Sequence, residues 1–253
     1  MINSIEIIDW DGNFPKNYIK NLQGLIPNKI EFKKGLNVLI GENGSGKSTI
    51  LNLIKYYNFC NDKFISKITN NSIHELVGYN FKIDDDKKEN ISGIKILGDY
   101  KKPIFNLRDS SQLSESNRLE NSTSFMQTYK YHNSSTGESQ WDSIGRLFQI
   151  MFEKYDYDLF KSLKSCNKEN LIEYYNSNHI DSSVFTIVMD EPDKNLDLGK
   201  VEEIYNIISN PREDTQFIIS LHNPALIYKL KDKGNFIELT NGYLDKIIKF
   251  IEK

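Results

Sequence analysis

The sequence predicts an α/β fold in which parallel strands alternate with helices. Two observations carry this prediction. Short apolar segments alternate with amphipathic ones over the second half of the chain, and a glycine-rich loop joins an apolar strand to a helix near residue 41. With 253 residues, of which 38% are hydrophobic, the chain is long enough to bury one sizeable core.

Composition and charge exclude several classes of protein. The 32 Lys and Arg residues nearly balance the 35 Asp and Glu residues, so the chain has no overall basic surface for nucleic acid. The densest apolar run, 184–189, is far shorter than the roughly 18 residues that a membrane-spanning helix needs. Cys60 and Cys166 are far apart, which disfavours a disulfide framework or a cysteine zinc site. Because the N-terminus also lacks a secretion signal, we expect a cytoplasmic protein that does not contact a membrane.

The predicted elements follow in order along the chain. Apolar or alternating segments predict strands at 4–9, 29–34, 36–40, 94–97, 104–107, 184–189, 216–221 and 235–239. Helical spacing predicts helices at about 47–57, from 138 towards 176, at 198–209 and at 224–231. We therefore expect a single domain over 1–253, with a core formed by about 1–108 and 180–253 and a helical lobe at about 109–179.

A phosphate-binding loop follows the strand at 36–40. The segment fits the pattern G-x-x-x-x-G-K-[ST], in which glycines let backbone N–H groups face an anion at the start of a helix. Lys47 is expected to reach the β- and γ-phosphates of a nucleotide, and the Ser48 hydroxyl to bind Mg²⁺. The alternative, a flexible glycine and serine turn, is disfavoured by the strand before it and the helix after it. The predicted nucleotide-binding residues are Gly41, Glu42, Asn43, Gly44, Ser45, Gly46, Lys47, Ser48 and Thr49.

Two adjacent carboxylates, Asp190 and Glu191, follow the strand at 184–189. In a parallel sheet, ligands bind at the carboxyl ends of the strands, where the phosphate loop also lies. Asp190 is expected to hold Mg²⁺ through water, and Glu191 to orient and deprotonate the attacking water. Acidic residues at strand ends are also common turn residues, but the phosphate loop favours the catalytic interpretation.

His222 follows the strand at 216–221 and is expected at the same edge of the sheet. Asn223 and Pro224 are typical of the N-cap and the first position of a helix. A histidine at a helix start is usually structural. Here its position favours contact with the γ-phosphate, as a third catalytic residue beside Lys47 and Glu191.

Together these motifs resemble the ATP-binding-cassette (ABC) ATPase superfamily, in particular its stand-alone, non-transporter branch related to RecF, SMC and predicted bacterial ATPases of defence and repair. The resemblance covers 29–239. It implies a phosphate-loop NTPase fold with a mixed sheet core, an N-terminal antiparallel β part and a helical signature lobe, and it implies Mg²⁺-dependent ATP hydrolysis. The family's Walker A motif corresponds to Gly41–Ser48, its Walker B motif to 184–191 and its switch histidine to His222. Its D-loop corresponds to Asn195, Leu196 and Asp197.

A segment before the long helix is similar to the S-x-G-E/Q core of the family's signature motif. In the family this element contacts the γ-phosphate of ATP held by the opposite subunit. A helix-capping box is another interpretation, compatible with the first because a capped helix N-terminus also binds phosphate. The 51 residues between Glu138 and Asp190 exceed the transporter spacing, and the 87 between Lys47 and Ser135 are too few for a coiled-coil arm. The leading Leu and second Gly of the transporter signature are absent, and the matching residues are Ser135, Thr136, Gly137 and Glu138.

The sequence does not decide which residues form the Q-loop contact and the adenine contact. Gln112 is preferred for the contact with Mg²⁺ and water, with Gln127 and Asp109 as alternatives. Core or surface packing is the more common role of single aromatic residues. The candidates for stacking on adenine are Trp10, Phe14 and Phe32.

The function predicted from these motifs is ATP binding and hydrolysis by a homodimer that closes head-to-tail over two ATP molecules. Closure would drive or gate a separate effector, such as a nuclease, a toxin or a nucleic-acid-processing protein, in a role such as antiviral defence. The alternative is an ATP-locked scaffold with slow hydrolysis; a transporter subunit is disfavoured by the signature spacing. Nucleic-acid contact through Lys101–Lys102 or Tyr129–His132 is open, with ordinary surface as the alternative.

Overall fold

A computed structural model describes seven stretches of the chain: 1–12, 17–24, 26–61, 93–98, 104–106, 185–213 and 215–253. Elements from both ends of the chain pack together in it. The predicted helix from residue 138, the lobe expected at 109–179 and the signature segment Ser135–Glu138 lie outside the described residues.

The described residues contain eight strands, arranged in two sheets. The strands are β1 (Ile2–Ile7), β2 (Lys29–Glu31), β3 (Gly35–Ile40), β4 (Ile94–Gly98), β5 (Ile104–Asn106), β6 (Phe185–Met189), β7 (Thr215–Ser220) and β8 (Asn235–Glu238). One sheet is antiparallel, in the order β2-β1-β4, and the other is parallel, in the order β5-β6-β7-β3-β8. Strand β7 therefore lies between β6 and β3, so that the ends of these three strands meet at one edge.

Helices follow the strands of the parallel sheet, and local chemistry explains where two of them begin. The described helices are α1 (Lys47–Asn61), α2 (Leu198–Ile208), α3 (Pro224–Leu230) and α4 (Tyr243–Ile251), with a 3₁₀ helix at Asn17–Leu22. The Asp197 side chain caps α2 by accepting the Lys200 N–H. Asn223 caps α3, whose first residue is a proline that has no N–H to leave unpaired.

Alternate residues of the central strands point to opposite faces of the parallel sheet and fill two separate cores. Phe217 and Ile219 of β7 pack on one face with α2, α3 and Ile247 of α4. Ile218 of β7 packs on the other face with α1 and the antiparallel sheet. Because both faces are covered, the strands are apolar over most of their length.

A buried glutamine, Gln216, links the two sheets at the start of β7. Its Oε1 accepts the Ile2 N–H at 2.9 Å and the Thr186 hydroxyl at 2.8 Å. Its Nε2 donates to the carbonyl oxygens of Ile2 at 2.8 Å and Lys33 at 3.0 Å. All the hydrogen-bonding capacity of this amide is used, so its burial leaves no polar atom unpaired.

The predicted α/β fold with parallel strands and an antiparallel N-terminal part is confirmed, and the structure adds two details. In the described stretches, the antiparallel strands and the parallel strands form two separate sheets. Helix α4 and the 3₁₀ helix were not predicted. The start of α4 carries no side-chain cap, only Gly242 with φ 69°, so the usual start signal is missing from the sequence. None of the described helices is both long and apolar enough to cross a lipid bilayer.

Candidate functional site

The phosphate loop connects β3 to α1 along a path that requires glycine. A Cβ on Gly41 would lie 2.6 Å from Ser45 Oγ. Gly46 has φ 96°, and a Cβ there would lie 3.0 Å from Ile26 Cγ2. Such close approach and positive φ favour glycine, because it lacks the side chain that would clash. The loop thus curls tightly at the N-terminus of α1, which carries a partial positive charge.

The Lys47 side chain is buried and folds over the phosphate loop. Its Nζ donates to the carbonyl oxygen of Gly41 at 2.8 Å and to that of Glu42 at 3.0 Å. Burial lowers the pKa of Lys47, and the carboxylates of Glu191 and Asp190 oppose this shift. An ammonium group is therefore held in the loop within electrostatic reach of both carboxylates.

Asp190, directly after β6, connects the phosphate loop with the end of β7. Its Oδ1 accepts the Ser48 hydroxyl at 3.2 Å and the Ser220 hydroxyl at 2.6 Å. Ser220 Oγ also accepts the backbone N–H of Glu191 at 2.9 Å. Ser220 reaches both residues because β7 lies beside β6 in the sheet. This hydroxyl connects the predicted Mg²⁺ ligand to the predicted general base.

The Glu191 carboxylate lies between two nitrogen groups. Its Oε1 is 2.8 Å from His222 Nε2, and its Oε2 is 2.9 Å from Lys194 Nζ. Glu191 has φ 49°, in the left-handed region that non-glycine residues rarely occupy and that is often found at functional sites. The side chain is 22% exposed, so the carboxylate is held in place while solvent still reaches it.

Asp193 lies in the loop after β6 and its side chain is buried. Its Oδ2 accepts the backbone N–H of His222 at 3.0 Å and that of Asn223 at 2.6 Å. Burial raises the pKa of Asp193, and these two hydrogen bonds partly offset the rise. The carboxyl group thus connects the loop after β6 to the loop after β7.

Residues after β8 support the outer side of the phosphate loop. The Glu42 N–H donates to Thr240 Oγ1 at 3.1 Å. The Glu42 carboxylate pairs with Lys246 Nζ of α4 at 3.1 Å, where both side chains are exposed. An exposed ion pair of this kind adds little stability, so the Thr240 hydroxyl is the more important contact.

The predicted D-loop residues lie just beyond the carboxylates. Asn195 is exposed and has φ 59°, Leu196 packs against the core, and Asp197 caps α2. The local structure therefore gives each of the three residues a role in the turn from β6 to α2.

The structure brings five of the predicted site residues to one edge of the parallel sheet: Lys47, Ser48, Asp190, Glu191 and His222. Among the candidates for stacking on adenine, Phe32 packs in the core, the alternative role that the sequence left open. The indole N–H of Trp10 donates to Asn28 Oδ1 at 3.0 Å. Several predictions concern residues outside the described stretches: Phe14, Lys101–Lys102, Asp109, Gln112, Gln127, Tyr129–His132, Ser135, Thr136, Gly137 and Glu138.

Sequence reasoning missed Ser220, Asp193 and Thr240. Each lies one to three residues from a predicted site residue or from a strand end, so proximity was the one available signal. Serine and threonine are too common for proximity to single them out. Their roles depend on which strands are neighbours, and the sequence does not state this.

The edge suits ATP and Mg²⁺. The Ser48 hydroxyl and the Asp190 carboxylate lie side by side, and oxygen ligands of this kind, completed by phosphate oxygens and water, are what Mg²⁺ prefers. Ser45 Oγ, in the phosphate loop, is buried and has no hydrogen-bond partner within the described part of the chain. An unpaired hydroxyl in a glycine-lined loop fits a phosphate group better than an ordinary surface turn.

A glycine-rich phosphate loop at the carboxyl edge of a parallel sheet, with an aspartate at the end of a nearby strand, defines the class of phosphate-loop nucleoside triphosphatases. The family model of the AAA domain matches residues 18–247, and the chain belongs to this family. The chain is accordingly an ATPase, an enzyme that hydrolyses ATP.

Comparison with solved structures and curated proteins adds three findings. A dimeric ATP-binding cassette in a post-hydrolysis state, bound to ADP and phosphate, shares 19% identity over 86% of this chain and 87% of that chain, with a TM-score of 0.37. A nucleotide-free ATP-binding cassette from an ABC transporter shares 18% identity over 100% of this chain and 95% of that chain, with a TM-score of 0.40. No curated protein matches the sequence.

Proposed function

We propose that the chain is an ABC-type ATPase whose carboxyl edge binds ATP with Mg²⁺ and hydrolyses it. One observation carries the proposal: a continuous series of hydrogen bonds runs from Ser48 through Asp190 and Ser220 to Glu191 and His222. These groups have the chemistry that phosphoryl transfer to water requires, namely metal ligands, a base and a polar side chain for the transferred phosphate.

The binding half of the site consists of Gly41–Thr49 and Asp190. The Lys47 ammonium is assigned to the β- and γ-phosphates, in place of the two loop carbonyl oxygens that it contacts in the structure. The Ser48 hydroxyl and the Asp190 carboxylate are assigned to Mg²⁺, with Asp190 acting through water. Bound Mg²⁺ supplies positive charge that offsets the charge developing on the phosphate oxygens. Gln112 is the proposed Q-loop contact to the same metal.

The catalytic half consists of Glu191 and His222. Glu191 accepts a proton from the attacking water, and its place between His222 and Lys194 limits the directions in which the carboxylate can point. His222 is assigned to the γ-phosphate while its Nε2 keeps Glu191 in register. Orienting a base in this way lowers the entropic cost of reaching the transition state.

The proposal includes a head-to-tail homodimer. In the resembling family, the signature segment of one subunit completes the ATP site of the other, and Ser135–Glu138 is the matching segment here. The D-loop supports the proposal, because Asn195 and Asp197 are exposed close to Glu191 and are accessible to a second subunit. The single domain, with 109–179 as its signature lobe, belongs to the same proposal.

The biological role proposed is to drive or gate a separate effector, such as a nuclease, a toxin or a nucleic-acid-processing protein, in antiviral defence. This part rests on the resemblance to defence and repair ATPases. A scaffold that is locked by ATP and hydrolyses it slowly is a second candidate. The double pairing of Glu191 favours it, since a base held by both His222 and Lys194 is less available to water.

The test combines phosphate release with light scattering of Glu191→Gln. We expect hydrolysis to fall at least about 100-fold, because the amide cannot accept the proton. The variant still binds Mg-ATP, and ATP shifts its mass from monomer to dimer. Glu203→Gln, on the exposed side of α2, is the matched control and behaves like the unmodified chain.

Three outcomes would contradict parts of the proposal. Full hydrolysis by Glu191→Gln rules out this residue as the base. A monomeric mass both with and without ATP rules out the homodimer, whereas a dimer already present without ATP favours the scaffold. If the unmodified chain hydrolyses ATP much more slowly than its subunits exchange, the ATP-locked scaffold is favoured over an ATPase that drives an effector.

A further inference from the structure

Asp193 is a buried carboxyl group that no step of the proposed reaction uses. Its side chain is 6% exposed, and Oδ2 accepts two backbone N–H groups from the loop after β7, those of His222 and Asn223. Within the described stretches, Oδ1 is buried and has no hydrogen-bond partner. Burying a carboxyl group with one unpaired oxygen is costly, so a specific reason for its position is needed.

Capping of α3 is not that reason. The Asn223 side chain already accepts the N–H groups of Ala225 at 3.0 Å and Leu226 at 3.2 Å. The two N–H groups held by Asp193 precede the first turn of α3. Asp193 therefore acts on the segment that leads into the helix, and this segment contains His222.

The geometry connects Asp193 to the Glu191–His222 contact. A tight turn, closed by the Lys194 N–H on the Glu191 carbonyl oxygen at 3.1 Å, directs Asp193 inward two residues after Glu191. The loop after β6 thus holds His222 twice, by its backbone through Asp193 and by its imidazole through Glu191 at 2.8 Å. With both contacts in place, His222 cannot shift without breaking at least one of them.

We propose that Asp193 is a positioning residue, which fixes the backbone of His222 so that the imidazole lies against Glu191 and the γ-phosphate. The inference rests on the proposed function for the roles of Glu191 and His222. It adds a residue that touches neither substrate nor metal and acts on the reaction through His222.

The experiment compares Asp193→Ala, Asp193→Asn and Asn223→Ala in the full chain. Asp193→Ala removes the acceptor of both N–H groups, and a displacement of about 1 Å at the reacting groups can lower kcat on the order of 100-fold. The KM for ATP stays near that of the unmodified chain, because the phosphate loop is untouched. Asp193→Asn keeps one acceptor oxygen, and its kcat lies between that of the unmodified chain and that of Asp193→Ala. Asn223→Ala is the matched control, since it removes the cap of α3 but leaves both N–H groups held by Asp193.

Two further readouts separate positioning from a merely structural role. In ¹⁵N-labelled protein without nucleotide, the amide proton signals of His222 and Asn223 move upfield in Asp193→Ala, because both lose their acceptor. In Asn223→Ala, the control signal is that of His222, which stays in place. Combined with His222→Ala, the Asp193→Ala change causes no further loss of kcat, because residues acting through one another are not additive.

The proposal is overturned if Asp193→Ala keeps the kcat of the unmodified chain, or if its KM rises as much as its kcat falls. It is also overturned if the loss of kcat in Asp193→Ala adds fully to the loss in His222→Ala. If the alanine variant does not fold, Asp193→Leu, which has a similar size and no acceptor oxygen, decides by the same signals, and unshifted amide protons with unchanged kcat overturn the proposal. Full activity of Glu191→Gln, in contrast, would contradict the proposed function and leave the amide measurements unaffected.

Discussion

The two ends of strand β7 carry polar clusters of opposite design. At the amino end, Gln216 is buried, neutral and fully hydrogen-bonded, and it connects the antiparallel sheet to the parallel one. At the carboxyl end, Ser220 joins Asp190 to the Glu191 backbone in a half-buried, charged cluster. The strand between the two ends is entirely buried. One strand thus connects the two sheets at one end and contributes to the proposed reaction site at the other.

The difference shows that a buried neutral group stabilises the fold, whereas charged groups at an accessible edge are suited to chemistry. A neutral amide with every partner in place stabilises a core without needing to move. The carboxyl end carries carboxylates, an imidazole and an ammonium group at an accessible edge. These groups can exchange partners and protons, and they therefore stabilise the fold less than the neutral amide does. The energetic burden of keeping Lys47 and Asp193 buried appears in their pKa values, which burial shifts in opposite directions.

The strongest test of this division removes the ammonium group at the carboxyl end. In Lys47→Met we expect kcat/KM for ATP to fall by about 100-fold or more, because a preorganised positive group at the phosphates is lost. The free energy of unfolding changes by less than about 1 kcal/mol, since relief of the desolvation of the ammonium group offsets the loss of its two hydrogen bonds to loop carbonyl oxygens. Phosphate release and urea denaturation measure the two effects, with exposed Lys229→Met on α3 as the control. A large loss of stability with normal turnover would show that Lys47 supports the fold and not the reaction, which would contradict the comparison of the two ends.

The converse test is Gln216→Leu at the amino end. It leaves the N–H and carbonyl of Ile2, the carbonyl of Lys33 and the hydroxyl of Thr186 without this partner. At 1–3 kcal/mol for each unpaired group, partly relieved by relaxation, we expect the free energy of unfolding to fall by about 3 kcal/mol. The kcat of the folded fraction is unchanged. Chemical denaturation with phosphate release checks this, and the exposed Gln23→Leu is the matched change. Loss of kcat at full stability would show that the amino end belongs to the site.

A smaller effect sharpens the comparison within the carboxyl end. Ser220→Ala removes one hydrogen bond to the Asp190 carboxylate and one from the Glu191 N–H, each worth about 1–3 kcal/mol. We expect kcat to fall about tenfold, because Asp190 and Glu191 are less well oriented. The free energy of unfolding falls by about 2 kcal/mol, the lower end for two such bonds. Ser209→Ala, a buried serine at the end of α2, is the control, and it lowers stability without affecting kcat. If Ser220→Ala and Ser209→Ala behaved alike, Ser220 would be an ordinary core residue.

Most of the fold could be predicted from the sequence. Apolar runs such as 184–189 and 216–221 identify buried strands, and Asn223-Pro224 identifies the start of α3, because both signals depend on local chemistry. Helix α4 could not be predicted in the same way, since Gly242 begins it without a capping side chain. Which strands pair in each of the two sheets is decided by the tertiary structure, because pairing between distant strands leaves no local pattern.

For the site, the sequence by itself determined that the phosphate loop, Asp190, Glu191 and His222 lie at one edge of the sheet, because each follows a strand. Their residue types fit phosphate and metal chemistry. Only the tertiary structure decided that β7 lies between β6 and β3, and with it the roles of Ser220, Asp193 and Gln216. The physical reason is that strand order depends on how the faces of the sheet pack against the helices, and this packing involves residues that are far apart in the sequence. A serine or an aspartate becomes important through the neighbour that this packing provides.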